Sequence, residues 1–112
     1  MEEVVVTGMG CVTPLGNNPN ELWTNLLAEK SGISNIIRFN TEAYDVHFAG
    51  EIKEFDPSPY FNVRDAKRYS RNIQYVVHSA MTALDNAGFG PKYVDPTRAG
   101  VILASGRGGR DV

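Results

Sequence analysis

Cysteine is almost missing from this chain: Cys11 stands alone in 112 residues, so no internal disulfide can form, as expected of a protein kept in a reducing compartment. Histidine is nearly as scarce, and His47 and His78 stand far from each other and from Cys11, which excludes the short ligand spacings of a zinc site. No apolar run approaches the length that crosses a bilayer, and the opening Met1-Glu2-Glu3 is acidic where a secretory leader would be basic. A cytoplasmic protein is therefore expected, with no membrane partner. Charge of one sign is also lacking: the formal net charge of −2 offers no global attraction to nucleic acid. Low complexity and internal repeats are absent, and 42% apolar with 21% charged residues is the balance of an ordinary globular domain.

What is present begins with a stretch of alternating restraint and freedom. Val4, Val5 and Val6 are β-branched and apolar on both faces, predicting a covered strand over residues 4 to 7; Gly8, Gly10, Pro14 and Gly16 then make a turn. Asn18-Pro19-Asn20-Glu21 reads as a helix start, with Asn18 as cap, Pro19 in the first turn and Glu21 placed for a capping box. Leu22, Trp23, Leu26 and Leu27 share one face of that helix, which Lys30 and Gly32 are expected to close. A second strand is predicted near residues 47 to 53. Apolar residues at steps of three and four, among them Ala66, Tyr69, Ile73, Val76, Leu84 and Ala87, predict one long helix over 64 to 87 with Gly88 as its C-cap. A third strand over 99 to 104 leads into the glycine turn of residues 105 to 109. The order is βαβαβ, an α/β unit with parallel strands and right-handed helical crossovers.

Several residues invite chemistry, and each has a plainer explanation. Gly8 and Gly10 after a strand resemble a dinucleotide-binding turn, but Thr13 occupies the third glycine position and Glu29 falls within the predicted first helix instead of at a strand end. Cys11 with His47 or His78 could form a nucleophile and base; a small buried thiol at a strand end is the commoner outcome. Arg64, Lys67, Arg68 and Arg71 crowd the start of the predicted long helix, where cations oppose the helix dipole and gain nothing for it, so docking of an acidic partner competes with a merely solvated face.

The stretch from Val4 to Asn17, with Ser31-Gly32-Ile33-Ser34, Phe48-Ala49-Gly50, Ile73-Gln74-Tyr75 and Ser105-Gly106-Arg107-Gly108-Gly109, resembles the start of the β-ketoacyl-acyl carrier protein synthases, most of all the type II elongating enzymes of fatty-acid synthesis. The resemblance covers nearly the whole chain in the family's order and spacing. It implies that residues 1 to 112 are the N-terminal part of one incomplete domain of the thiolase-like five-layer αβαβα fold, in a homodimer of longer chains.

It implies too an acyltransferase that joins an acyl thioester to malonyl-carrier protein by decarboxylative condensation, with no cofactor and no metal. The family's nucleophilic cysteine and two histidines have no counterparts here; Cys11 does not match the nucleophile's motif, so no catalytic residue is expected in this stretch. By position, Arg64, Lys67 and Arg68 match the family's docking patch for the acidic acyl carrier protein, and Gly106, Arg107 and Gly108 match the turn lining the acyl pocket. Arg107 departs from the aliphatic residue usual in the elongating enzymes and is expected either to turn outward or to shorten and polarise the pocket, and Ser70 and Asn72 replace an acidic and an aromatic residue. The rival readings are a non-catalytic partner or truncated interaction piece, and a small nucleotide-binding domain. Alone, the chain is expected to leave strand edges and helix faces uncovered.

Overall fold

The computed structural model describes residues 1–90 and 95–108. The chain divides into two compact units, one of Val12–Asp56 and the other of Met1–Cys11 with Pro57–Val112.

In the first unit a tight turn joins Thr13 and Gly16, whose backbones exchange hydrogen bonds of 2.9 and 3.2 Å. Helix α1 follows over Pro19–Leu27 and starts as expected: Asn18 Oδ1 accepts from Glu21 N at 2.9 Å. The Glu21 carboxylate reaches one residue further back than an ordinary capping box, accepting from Asn17 N at 3.0 Å. The end of the helix differs from expectation. It closes at Leu27, Glu29 rather than Gly32 takes the left-handed conformation with φ 55°, and so Glu29 lies beyond the helix. Glu29 N donates to Leu26 O and Lys30 N to Asn25 O, both at 3.0 Å, which is the Schellman arrangement with a β-carbon where glycine is usual. Replacing Glu29 by glycine is therefore expected to stabilise the protein by up to about 1 kcal/mol; a rise in the chemical-denaturation midpoint checks it.

The only ladder among the described residues is antiparallel, β1 (Ser34–Asn35) with β2 (Phe48–Ala49), in the register Ser34 to Ala49 and Asn35 to Phe48. The predicted strand over 47 to 53 shrinks to these two residues for a visible reason. Beyond the ladder, the Glu51 side chain takes the backbone donors that a longer strand would pair: its carboxylate accepts from Ile37 N at 3.0 Å and Arg38 N at 3.3 Å. The Arg38 guanidinium in turn donates to Ile52 O at 2.6 Å.

In the second unit, residues 4 to 7 and 99 to 104 form no ladder, so the expected parallel βαβαβ sheet is not formed among the described residues. A strand exists only by pairing, and these runs lie open: Val4 is 94% exposed and Ile102 97%. The predicted long helix is two helices, α2 (Val63–Arg68) and α3 (Arg71–Ala87), separated by extended Tyr69 and Ser70. Asn62 caps α2, accepting from Asp65 N at 2.8 Å. Gly88 ends α3 as expected in the left-handed conformation, φ 68°. A 3-10 helix spans Pro96–Arg98; the Thr97 hydroxyl and then its N–H hold the capping Asp95 carboxyl below its usual range.

The glycines at 8 and 10 lie against α3. A β-carbon at Gly8 would strike Ala83 O and come within 2.8 Å of Ala87 Cβ, and one at Gly10 would strike Ser79 O. Ser79, Ala83 and Ala87 thus form a small-residue row, four apart, that lets the backbone of 8 to 10 lie flush on the helix. Among the described residues no apolar side chain is buried, and the buried ones, Glu51 and Gln74, are polar groups satisfying backbone atoms.

Candidate functional site

Helix α2 carries the basic cluster. Arg64, Lys67 and Arg68 are all exposed. The one acid among them, Asp65, is engaged by Asn62, whose side-chain amide donates to Asp65 Oδ2 at 2.8 Å. The break before α3 changes the electrostatic reading. Lys67 and Arg68 occupy the last turn of α2, where a cation is favoured by the helix dipole, and not the start of a long helix where it would be opposed. Only Arg64, in the first turn of α2, and Arg71, in the first turn of α3, remain against the dipole. Part of the cluster therefore contributes to its own helix.

Gln74 fixes this corner. Its side-chain amide is buried and donates to Ala66 O and Tyr69 O, each at 2.8 Å. One carbonyl belongs to the end of α2 and the other to the link, so a single planar amide ties both to the first turn of α3. Sequence periodicity missed the break because Ala66 and Tyr69 happen to continue the apolar spacing across it. The signal that could have shown it was the pair of cap residues, Asn62 and Ser70, eight positions apart.

The glycine turn follows the segment that faces the first half of α3. Asn72, Ile73, Val76 and Val77 with Leu103, Ala104 and Ser105 line a cleft of about 270 Å³. Asn72, one of the departures from the family pattern, stands at this cleft. Ser105 Oγ accepts from Gly108 N at 2.9 Å and Gly108 has φ 68°, which shapes the turn. Gly106, Arg107 and Gly108 are exposed; Gly109 lies outside the described residues. The basic cluster and the glycine turn are thus both built on the amino-terminal half of α3, one through Gln74 and the other across the cleft.

The other candidates are placed elsewhere. Gly8 and Gly10 spend their lack of a side chain on contact with α3, which removes the basis of the dinucleotide reading. Cys11 and His47 belong to different units. His47 Nδ1 is 3.0 Å from Thr41 Oγ1, and the His78 ring meets Tyr60 edge-on with centroids 5.3 Å apart. Tyr60 in turn donates its hydroxyl to Asp85 Oδ2 at 2.9 Å. A second cleft of about 270 Å³ lies in the first unit between Thr13, Leu15, Asn17, Glu21, Lys53 and Glu54, and holds none of the expected site residues. Among the described residues no group of three potential ligands could hold a metal ion, and no helix is long and apolar enough to cross a membrane.

Solved structures resemble this chain. One is a structure titled the ishigamide ketosynthase/chain length factor, with a TM-score of 0.67 and 32% identity, matching 79% of this chain and 22% of that one. Residues 1–111 match the family profile "Beta-ketoacyl synthase, N-terminal domain", and the chain belongs to that family. Among similar curated proteins, 3-oxoacyl-[acyl-carrier-protein] synthase 2 of Vibrio harveyi is 39% identical over 97% of this chain. The protein of the same name from Staphylococcus aureus strain COL is 37% identical over 98%. The chain spans about a quarter of the length of these relatives, 26% and 27%.

Proposed function

We propose that these residues serve as the N-terminal part of a condensing acyltransferase that elongates acyl chains, joining an acyl thioester to malonyl-acyl carrier protein with loss of carbon dioxide. The collinear match to 3-oxoacyl-[acyl-carrier-protein] synthase 2 proteins, over nearly the whole chain, carries the reading. Within it, exposed Arg64, Lys67 and Arg68 receive the acidic carrier protein, and Gly106, Arg107 and Gly108 form one wall of the acyl pocket. The nucleophile and two histidines of the family's chemistry are supplied from outside this stretch. Open valine and isoleucine runs at 4 to 6 and 101 to 102 find their strand partners in the five-layer fold, with a second copy completing a homodimer.

The test is an assay of the native-length protein with an acyl primer and malonyl-carrier protein: carbon dioxide release matched by a 3-oxoacyl product supports the reading, and its absence overturns it. Arg107 then sets chain length. A guanidinium beside an alkyl chain is costly to desolvate, so it shortens and polarises the pocket. Arg107→Ile is expected to raise kcat/KM for long primers over short ones by about tenfold; equal long-primer elongation with either residue removes this role.

A further inference from the structure

We infer that Gln74 is a positioning residue for carrier-protein docking: its side-chain amide holds helix α2, and with it Arg64, Lys67 and Arg68, in a set direction relative to α3. The inference rests on the docking role proposed above. Helix α2 has six residues and none of them is buried, so neither its length nor a buried side chain of its own fixes it. The last carbonyls of any helix lack intrahelical partners. Here Asp65 O is taken by Tyr69 N at 2.9 Å, and Ala66 O is taken by Gln74.

The second N–H of the same amide takes Tyr69 O, so the break is bridged by two hydrogen bonds whose geometry one rigid plane dictates. Gln74 can impose that geometry because its own backbone is held: Gln74 N donates to Ser70 O at 3.1 Å in the first turn of α3. The residue is 7% exposed, so water is poorly placed to substitute for its amide. Ser70, at the same corner, offers no replacement. Its hydroxyl makes no cap to α3, and among the described residues its buried oxygen has no hydrogen-bond partner.

Loss of the amide leaves two carbonyls without their donors and frees α2 to swing, spreading three cations over many directions. Association steered by grouped charge loses most when the group is no longer presented as one surface. The readout is the KM for an acyl group on carrier protein divided by the KM for the same acyl group on N-acetylcysteamine, in the native-length protein. Gln74→Glu is close in shape but, when ionised, sets acceptors against acceptors; the ratio is expected to rise about tenfold at neutral pH. It should fall back as the pH is lowered and the carboxyl gains a proton to donate.

Gln74→Met keeps the length without a donor, asks for no buried charge, and should raise the ratio with no recovery in acid; it carries the test should Gln74→Glu fail to accumulate. A ratio within twofold of the parent in Gln74→Met, while Arg68→Glu raises it, overturns the inference and leaves docking standing. Equal increases in both KM values also overturn it, since a merely structural residue behaves so. No change in the ratio with Arg68→Glu overturns the docking reading itself.

Discussion

Reversing Arg64, Lys67 and Arg68 together to glutamate is expected to weaken capture of an acidic acyl carrier protein by about 100-fold at low ionic strength. All three side chains are exposed, and the neighbouring acid, Asp65, is occupied by Asn62. Each reversal turns an attraction into a repulsion, so three changes together act well beyond the small worth of one exposed ion pair. Titration of labelled carrier protein against the native-length protein measures the affinity, and a salt series separates charge from shape. The parent should weaken steeply with added salt, whereas the reversed variant should gain or stay flat, because screening acts on charges across a solvated contact. Lys67 and Arg68 also favour the carboxyl end of α2, so a small stability loss accompanies their reversal. An affinity within threefold of the parent at low salt would show that the cluster is only a solvated face.

Gly10→Ala is expected to destabilise the protein by about 3 kcal/mol, the upper end of what overpacking costs. Its added carbon strikes the Ser79 carbonyl oxygen and comes within 2.9 Å of Ala83 N, and both are backbone atoms of α3. A flexible side chain could yield; a helix ladder must move as a whole, and with it the base on which the Gln74 corner and the cleft at Leu103 are built. Gly100→Ala is the control, since nothing lies within 4 Å of a β-carbon there, and it should change stability by less than about 0.5 kcal/mol. Urea denaturation of the native-length variants compares the midpoints, with the slope held common. Equal midpoints for the two variants would mean that the flush contact of residues 8 to 10 on α3 does not bear on stability.

How far the sequence alone reaches differs from element to element. Two helix boundaries were legible because capping is local chemistry: Asn18 with Glu21 starts α1, and Gly88 closes α3, both from residues within one turn of the boundary. The family was legible too, through short collinear motifs from Val4 to the glycine turn, and the match over residues 1–111 agrees with it. Glu29 in the left-handed conformation was not, since nothing in a glutamate announces that it will take the place of glycine.

The sequence by itself determined the start of α1, the end and apolar row of α3, the clustering of the cations and the family, because each depends on residue type and near spacing. Only the tertiary structure decided the rest. It put Gln74 across the break of the expected long helix, because the carbonyls that need its amide lie five and eight residues away. Gly8 and Gly10 it assigned to contact with α3, through neighbours more than 60 positions distant. Residues 4 to 7 and 99 to 104 it left outside any ladder, since a strand's hydrogen bonds belong to another segment of chain and no local propensity can supply them.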